Sequence, residues 1–369
     1  MIYLDSGATS FRKPPEVYRA VEKAMLRCAS PGRGGYGAAM EAARQVYGCR
    51  EEAGKLFHCP VEQIALTMNC THGLNIAIRS MLKPGAKVVI SGFEHNAVTR
   101  PLHAMNAQIT VAGRKLFSWE DTLESFRKAL ERHPDGAVFT HVSNVFGYVL
   151  PVEEMAAMCR EKGVPFILDA AQSAGTLPID FEALGAEFIA MPGHKGLLGP
   201  QGTGLLLCKG TPQPLLYGGT GSASREQTMP EMLPDRLEAG TLNVPGYAGL
   251  AEGIRYVRKT GVETIGRREH QQLKKCADGL KKLGMDVYAG EHQAATVSFR
   301  TGEDCETAAQ ILADQGIAVR AGLHCAPLAH ESAGTIETGT VRVSFGFDAC
   351  ESQTRGLLRA VSKLSPFPG

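Results

Sequence analysis

Lys195 and Asp169 are the residues whose types and surroundings point most directly to chemistry. Lys195 stands between Gly193 and Gly196, and Asp169 ends an apolar run that begins at Val164. A lysine amine can form a Schiff base with an aldehyde, and a carboxylate at the end of a buried strand can keep a pyridine nitrogen protonated. Pyridoxal 5′-phosphate (PLP) needs these two groups, a covalent attachment and a partner that makes its ring an electron sink. Lysines that follow glycines are common, so the pair gains its weight from the residues around it.

A turn that could bind a phosphate group follows the predicted strand Ile64–Thr67. The turn, residues 69–73, contains Thr71 and His72 and leads into an apolar-periodic segment. A strand followed by a helix start presents backbone N–H groups and the positive end of a helix to an anion, and Thr71 can add a hydroxyl donor. The alternative is a threonine that caps the helix without any ligand.

Polar side chains follow later strands in the same way. His95 comes after one predicted strand, Asn144 after another, and Gln172 just beyond a third. In open α/β sheets, ligands bind outside the carboxyl ends of the strands. His95 could stack on a planar cofactor or exchange protons near neutral pH, and Asn144 or Gln172 could hydrogen-bond a ring substituent. The alternatives are a solvated loop histidine and a turn asparagine, which are the commoner fates of such residues.

Apolar, β-branched runs alternate with helical patterns over the first 250 residues, after an early helix at Pro14–Arg27. Strands that alternate with helices at this spacing predict βαβ units and a mostly parallel sheet with helices on both faces. The predicted strands are Ile64–Thr67, Lys87–Ser91, Ile109–Ala112, Ala137–Val142, Val164–Asp169, Phe188–Met191 and Thr203–Leu207.

The pattern changes after about residue 250. The later elements are a helical stretch interrupted near Gly261, two strands and a last helix, at Tyr247–Leu283, Ala295–Phe299, Val341–Phe345 and Ala349–Leu364. We therefore expect a large domain over residues 1–250 and a small α+β domain over residues 251–369, to which the N-terminal segment could also contribute.

Composition and charge exclude several classes of protein. The 369 residues are 44% hydrophobic and 21% charged, and a formal net charge of +1 argues against nucleic acid or an anionic membrane as the main partner. No run of about 18 apolar residues predicts a membrane-spanning helix, and no signal peptide is recognisable, so we expect a cytoplasmic protein. A chain of this size without a recognisable signal peptide is not expected to use its ten cysteines as a disulfide framework. The cysteines include no Cys-x-x-Cys pair, which argues against a structural zinc site.

Two later residues could act on a small substrate. Cys325 lies in a glycine-containing turn beside His324, and a partly exposed thiol near a cation such as Arg320 can act as a nucleophile. The alternative is a buried, inert cysteine. Arg342 lies in a β-like stretch, where it could hold a carboxylate bidentately or simply face solvent.

Six segments together resemble the cysteine desulfurases, the class V aminotransferase branch of the fold-type I PLP enzymes. They follow the family's order from residue 3 to about residue 347. The segments are Tyr3-Leu4-Asp5-Ser6-Gly7-Ala8-Thr9, Glu94-His95, Asp169-Ala170-Ala171-Gln172, residues 193–202 around Lys195, Glu238-Ala239-Gly240-Thr241 and residues 320–326 around Cys325. The resemblance implies a homodimer with a shared active site, and a large domain with a mostly parallel seven-stranded sheet beside a small α+β C-terminal domain.

The resemblance also implies a role for each candidate residue. Lys195 would bind PLP covalently and Asp169 would pair with its pyridine nitrogen. Arg342 would bind the substrate carboxylate. The other implied contacts are ring stacking by His95, contacts to the phenolic oxygen side by Asn144 and Gln172, phosphate binding by Thr71, His72 and His194, and a contact of Thr241 with the phosphate of the neighbouring subunit's cofactor.

The Arg-x-Gly-x-His-Cys pattern that ends at Cys325 resembles the branch of the family with a short cysteine loop. A short loop cannot swing the sulfur far, which implies that an acceptor protein or small thiol must come to the site. Leu323 and Tyr36 stand where members of this branch often have histidines. These two departures leave the acceptor preference and the acid–base details open.

The activity implied is conversion of L-cysteine to L-alanine, with a persulfide left on Cys325 and His95 as an acid or base. Selenocysteine lyase or cysteine sulfinate desulfinase activity on the same site is the alternative, because these reactions need less help from a nucleophilic cysteine. A plain transaminase would not explain the turn around Cys325. A non-catalytic α/β binding protein, with structural Lys195 and Cys325, is the alternative from a different class.

Overall fold

The protein alternates strands and helices along almost its whole length. The computed structural model describes residues 1–31 and 34–368. The helices are α1 (Pro15–Arg27), α2 (Gly37–Phe57), α3 (Cys70–Met81), α4 (Asn96–Ala104), α5 (Trp119–Leu130), α6 (Val152–Lys162), α7 (Phe181–Leu184), α8 (Val244–Thr260), α9 (Val262–Lys282), α10 (Cys305–Asp314), α11 (Pro327–Ala333) and α12 (Glu351–Val361). The strands are β1 (Ile2–Tyr3), β2 (Ile64–Thr67), β3 (Lys87–Ser91), β4 (Gln108–Ala112), β5 (Gly136–Thr140), β6 (Phe166–Asp169), β7 (Phe188–Pro192), β8 (Gly204–Cys208), β9 (Asp286–Tyr288), β10 (Thr296–Arg300), β11 (Ile317–Ala318), β12 (Arg320–Gly322) and β13 (Thr340–Ser344).

A seven-stranded sheet in the order β2-β8-β7-β6-β5-β3-β4 forms the centre of the fold. Each of its strands coincides with a predicted strand, apart from shifts of one or two residues at the ends. β8 runs antiparallel to both neighbours, and the other strands run in one direction. The predicted mostly parallel α/β fold is therefore confirmed. Because these strands share a direction, the carboxyl ends of β2, β3, β5, β6 and β7 lie at the same edge of the sheet.

Continuous apolar runs form these strands because helices cover both faces of the sheet. Val138 of β5 packs in one hydrophobic cluster with α3 and α4, whereas its neighbours Ala137 and Phe139 pack in another with α5 and α6. Successive side chains of a strand point to opposite faces, so a strand that is buried on both faces consists mainly of apolar residues.

A second sheet, β12-β13-β10-β9, is antiparallel and belongs to the C-terminal part of the chain. Its strands pack against α9 and α12 in a third hydrophobic cluster. The N-terminal segment joins this region, because Ile2 of β1 pairs with Ile317 of β11 and Leu4 lies in the same cluster. The predicted helical stretch is two helices, α8 and α9, separated by Gly261 with φ 87°. A domain boundary near residue 250 stays a prediction.

A buried ion pair joins α2 to the segment that leads to Thr241. The Arg50 guanidinium contacts the Glu238 carboxylate, and its Nε donates to the carbonyl of Ile64 (3.2 Å). Glu238 also accepts a hydrogen bond from the backbone N–H of Leu66 (2.7 Å). Both charged side chains are more than nine-tenths buried, so water cannot replace the partner of either one.

Replacement of Arg50 by Leu should lower the free energy of unfolding by about 3–5 kcal/mol, since it leaves a buried carboxylate without its partner. Denaturant unfolding at equal protein concentrations measures the loss. Arg44→Ala removes an exposed pair with Glu41 on the same helix and should cost at most about 0.5 kcal/mol. Adding Glu238→Gln to Arg50→Leu keeps an acceptor for Leu66 and should restore part of the stability. Equal losses for Arg50→Leu and Arg44→Ala would contradict this role.

Candidate active site

A pocket lies at the sheet edge where the carboxyl ends of the parallel strands meet. Side chains far apart in the sequence share it because each follows one of these strands. Its lining includes seven residues that the sequence singles out: Thr71, His95, Asn144, Asp169, Gln172, His194 and Lys195.

Close packing against side-chain and backbone atoms shapes the turn that carries Lys195. A Cβ atom on Gly193 would lie 2.2 Å from Oγ1 of Thr203, and one on Gly196 would lie 2.3 Å from the carbonyl oxygen of Ala174. The N-terminal segment holds the turn from its other side, since the N–H and the hydroxyl of Ser10 both donate to the carbonyl of His194 (2.9 Å each). Glycine is therefore required on both sides of the lysine by space alone.

Lys195 and Asp169 both have shifted pKa values. Burial, followed by the charge of Arg342, lowers the pKa of Lys195 from 10.5 to about 8, so a substantial part of the amine is neutral near physiological pH and can attack an aldehyde. Burial raises the pKa of Asp169, against the hydrogen bonds from the Ala171 N–H (2.9 Å) and the Cys70 thiol (3.5 Å). A cationic hydrogen-bond donor is the partner that would stabilise such a buried carboxylate.

The start of α3 presents the exposed Thr71 to the pocket. Asn69 caps this helix, because its side chain accepts a hydrogen bond from the N–H of His72 (2.9 Å). His72 itself does not line the pocket. Its Nδ1 accepts a hydrogen bond from the Met68 N–H (3.3 Å), and its Nε2 is buried with no partner among the described residues. The hydroxyl and the positive helix end suit an anionic group.

His95 caps α4 and is held in one tautomer. Its Nδ1 accepts a hydrogen bond from the Ala97 N–H (3.0 Å), so the proton of the neutral ring is on Nε2. Burial, followed by the charge of Lys195, lowers the pKa of His95 to about 4, which keeps the ring neutral at physiological pH. The N–H of Asn96 donates to the carbonyl of Cys325 (2.7 Å), so the cysteine turn is attached to the helix that begins after His95.

Asn144 connects the pocket to both Cys325 and Arg342. Its Nδ2 donates to the carbonyl of His324 (2.7 Å), and its own carbonyl accepts a hydrogen bond from Nη1 of Arg342 (2.9 Å). Arg342 is buried and does not face solvent, and its Nη2 donates to Asp5 (2.6 Å). Cys325 is exposed. These contacts attach both Arg342 and the turn that carries the exposed Cys325 to Asn144, which lines the pocket.

Other residues named from the sequence have different surroundings. Gln172 lines the pocket, and its Nε2 donates to the carbonyl of Gly7 (3.0 Å). Thr241 is exposed and lines a separate pocket beside the buried ion pair of α2. Leu323 and Tyr36 are exposed.

The sequence reasoning did not identify two carboxylates at the site. Glu94 is fully buried, accepts a hydrogen bond from the Thr140 N–H (2.9 Å), and has its pKa raised by burial to about 8. Asp5 forms the ion pair with Arg342. Their positions offered a signal, since Glu94 directly precedes His95 and Asp5 lies in the first segment that resembles the family.

Metal-binding clusters, disulfides and membrane-spanning helices are absent from the described residues. No group of three or more His, Cys, Asp or Glu residues in its described parts could hold a metal ion. The cysteines are free thiols there, and Cys325 and Cys350 are the exposed ones. No helix within residues 1–31 and 34–368 combines the length and the apolar character needed to cross a bilayer. A cytoplasmic location stays a prediction.

The rate at which Lys195 attaches PLP should rise with pH and level off above about pH 8, because a neutral amine is the nucleophile. A lysine of ordinary pKa would continue to gain reactivity towards pH 10.5. Borohydride trapping followed by mass spectrometry measures the rate and locates the modified residue. This mapping separates Lys195 from Lys13, whose pKa burial also lowers to about 8. Labelling that is still rising steeply at pH 10 would contradict the lowered pKa.

Comparisons with known proteins agree with the geometry. A family model described as Aminotransferase class-V matches residues 2–357. Probable cysteine desulfurases of Methanothermobacter thermautotrophicus and Pyrococcus abyssi are 31% and 32% identical to this chain; each match spans 94% of the chain, and 90% and 89% of the respective relative.

Solved structures give the same result. A cysteine desulfurase of Thermococcus onnurineus in its apo form matches with a TM-score of 0.91 at 30% identity, covering 98% of this chain and 94% of its own. A cysteine desulfurase of Escherichia coli in an S-sulfonic acid form matches with a TM-score of 0.85 at 25% identity and the same coverage. The fold-type I assignment is thus confirmed, and enzymes of this family depend on PLP. The chain belongs to the class-V aminotransferase family, among its cysteine desulfurases.

Proposed function

We propose that this protein is a PLP-dependent cysteine desulfurase, which converts L-cysteine to L-alanine and leaves a persulfide on Cys325. The observation that carries the proposal is the attachment of the backbone turn around the exposed Cys325 to residues at the pocket of Lys195. The carbonyl of Cys325 accepts a hydrogen bond from the Asn96 N–H, and the carbonyl of His324 accepts one from Asn144. A transaminase would have no use for a thiol fixed in this way.

The residues around the pocket fit PLP. Asp169 is a buried carboxylate whose hydrogen bonds come from two neutral donors, the Ala171 N–H and the Cys70 thiol, and a protonated pyridine nitrogen would add a charged donor. Asn144 lines the pocket, its Oδ1 is buried without a partner in the part of the chain that is described, and a bound group with a polar substituent would satisfy it. When bound, PLP supplies an electron sink for the carbanion at the substrate Cα. We propose that Lys195 attaches PLP covalently and that His95 stacks on its ring. Asn144 and Gln172 contact the side of the ring that carries the phenolic oxygen. Thr71, His72 and His194 bind the phosphate.

The side chains of this protein divide the reaction between them. Lys195 Nζ accepts the proton from the substrate Cα, and Asp169 holds the proton on the pyridine nitrogen. The Cys325 thiolate attacks the substrate sulfur, so that an S–S bond forms as the Cβ–S bond breaks and its electron pair stays with the carbon skeleton. Protonation of Cβ and return of the Cα proton by Lys195 then give alanine. The neutral ring of His95 carries its proton on Nε2 and can donate a hydrogen bond from there towards the reacting groups.

Arg342 is the proposed carboxylate binder. Its Nη1 and Nη2 each make one hydrogen bond, to Asn144 and Asp5, and its buried Nε has no partner within the described residues. The guanidinium therefore keeps donors for a substrate carboxylate while its two existing bonds fix its plane.

A homodimer and an external thiol acceptor complete the proposal. Tyr47, which is exposed on α2, lines the same pocket as Thr241, and a second copy packed there would bring its cofactor phosphate within reach of this threonine. Leu323 is exposed beside Cys325 and would contact an acceptor that approaches the persulfide. Within the same site, selenocysteine or cysteine sulfinate is the alternative substrate.

Cys325→Ala should lower alanine formation from L-cysteine by at least about a hundredfold, because loss of a catalytic nucleophile costs orders of magnitude. Alanine and sulfide are measured with a thiol reductant. Cys350→Ala is the matched control, since Cys350 is the other exposed cysteine, and it should keep full activity. Alanine release that persists in Cys325→Ala would remove this thiol from the mechanism and favour selenocysteine or cysteine sulfinate as the substrate.

Arg342→Lys should raise the KM for L-cysteine roughly 10- to 100-fold, since a charged hydrogen bond is worth about 1.5–3 kcal/mol. Steady-state kinetics with cysteamine, which lacks the carboxylate, provide the control, because wild type and variant should then differ little. An equal loss with both substrates would mean that Arg342 supports the fold of the site without binding the carboxylate.

A further inference from the structure

Three buried side chains behind Cys325 form a continuous hydrogen-bonded chain. His324 Nε2 lies 3.3 Å from the carbonyl oxygen of Arg320, and His324 Nδ1 lies 3.5 Å from His330 Nε2. His330 Nδ1 lies 2.7 Å from the hydroxyl of Thr335. The two imidazole planes are nearly parallel, 11° apart, with ring centroids separated by 5.7 Å. His330 and Thr335 are fully buried, and neither has a task in the proposed reaction.

The acceptor at one end fixes the direction of every proton in this chain. A backbone carbonyl can only accept, so His324 carries its proton on Nε2 and its Nδ1 is bare. His330 must then donate from Nε2 to that nitrogen, and its own Nδ1 accepts from the Thr335 hydroxyl. The reverse order, with the His330 proton on Nδ1, would leave two bare nitrogens facing each other at 3.5 Å.

The surroundings of His324 and His330 keep both imidazole rings from taking up a second proton. Burial, together with the charge of Arg342, lowers the pKa of His324 to about 2, and burial lowers the pKa of His330 to about 4. The charged groups that face His324 are the guanidiniums of Arg342 and Arg320. Both are positive, so they oppose a second proton on the ring at any physiological pH.

The hydrogen-bonded chain of side chains also supports a strained backbone turn at Cys325. His324 and Cys325 both have left-handed backbone conformations, with φ of 52° and 56°, which residues other than glycine adopt only where the surroundings enforce them. The side chain of His324 takes part in the hydrogen-bonded chain. The carbonyl of His324 accepts a hydrogen bond from Asn144, and the carbonyl of Cys325 accepts one from Asn96. The turn is thus held from the pocket side through its backbone and from the interior through the His324 ring.

We propose that His330 and Thr335 are positioning residues, which hold the His324 ring in place through its Nδ1 and thereby hold the Cys325 sulfur in place for attack. The inference rests on the proposed role of Cys325 as nucleophile. It assigns a mechanical task to His324, and it excludes this histidine as an acid or base towards the substrate, because both of its ring nitrogens are committed inside the protein.

The variant pair Thr335→Val and Thr335→Ser tests the chain in the PLP-loaded enzyme. Valine has the shape of threonine without the hydroxyl, and it should lower kcat for L-cysteine by about tenfold or more with KM unchanged, because small misplacements of a reacting group are costly. Serine keeps the donor and should restore most of kcat. Turnover of cysteine sulfinate, which does not need the thiol, should stay at the wild-type rate in both variants.

Two measurements without turnover complete the test. The rate at which iodoacetamide alkylates Cys325, measured by mass spectrometry, should differ several-fold between Thr335→Val and the wild type. The alkylation rate of Cys350 serves as the internal standard. His330→Phe keeps the ring that packs on Phe146 and should reproduce the valine result. Long-range ¹H–¹⁵N spectra of ¹⁵N-histidine-labelled wild type should show His324 and His330 neutral, with the proton on Nε2, from pH 5 to 8.

The outcomes separate the two proposals. A proton on Nδ1 of either histidine, protonation within that pH range, or a valine variant that matches the serine variant in both kcat and alkylation would overturn the inference. If a variant does not fold, the spectra of the wild type still decide. If the wild type forms no alanine from L-cysteine, the proposed function fails, whereas the spectra and the alkylation rates still report on the chain.

Discussion

Burial of the Asp169 carboxylate at the end of β6 is the constraint on which the site depends. A charge removed from water is costly unless hydrogen bonds and an opposite charge replace the water. Here the Ala171 N–H and the Cys70 thiol supply hydrogen bonds, and Lys195 supplies positive charge. β6 lies between β5 and β7 in the sheet, so the residues that follow its two neighbours, Asn144 and Lys195, necessarily flank the carboxylate. The arrangement follows from strand order, and no long-range loop is needed to build it.

The second sheet adds what the central sheet lacks. β13 carries Arg342 and the segment after β12 carries Cys325, so the groups proposed for the substrate carboxylate and for its sulfur come from one small antiparallel sheet. Asn144 bonds to both of these segments, through its own carbonyl and through its side-chain amide. Asn144, a single residue after β5, therefore links the proposed cofactor site to the two segments that carry Arg342 and Cys325. Its replacement would disturb both at once.

The central sheet could be predicted from the sequence because its strands are buried on both faces and consist of short apolar runs with polar strand ends. The same logic placed Thr71, His95, Asn144, Asp169 and Lys195 around one pocket. α2 was not predicted from the sequence. Two of its buried residues, Arg50 and Glu52, are charged, and they interrupt the apolar periodicity that indicates a helix. The ion pair of Asp5 with Arg342 and the contacts of His330 could not be predicted, since they join segments that only the tertiary fold brings together.

Histidines are numerous at this site, yet they contribute almost no charge to it. Burial lowers the pKa of His95, His194 and His330 to about 4 and that of His324 to about 2. Guanidiniums, which keep their charge at all relevant pH values, supply the fixed positive charge, and they reinforce the neutrality of the nearby imidazoles. Burial lowers the pKa of Lys195 and raises that of Glu94, both to about 8, and it brings the pKa values of Lys13 and Glu269 to about 8 as well. Among the groups around the pocket, the lysine amine and the Glu94 carboxyl therefore change protonation near pH 8, while His324 and His330 stay neutral.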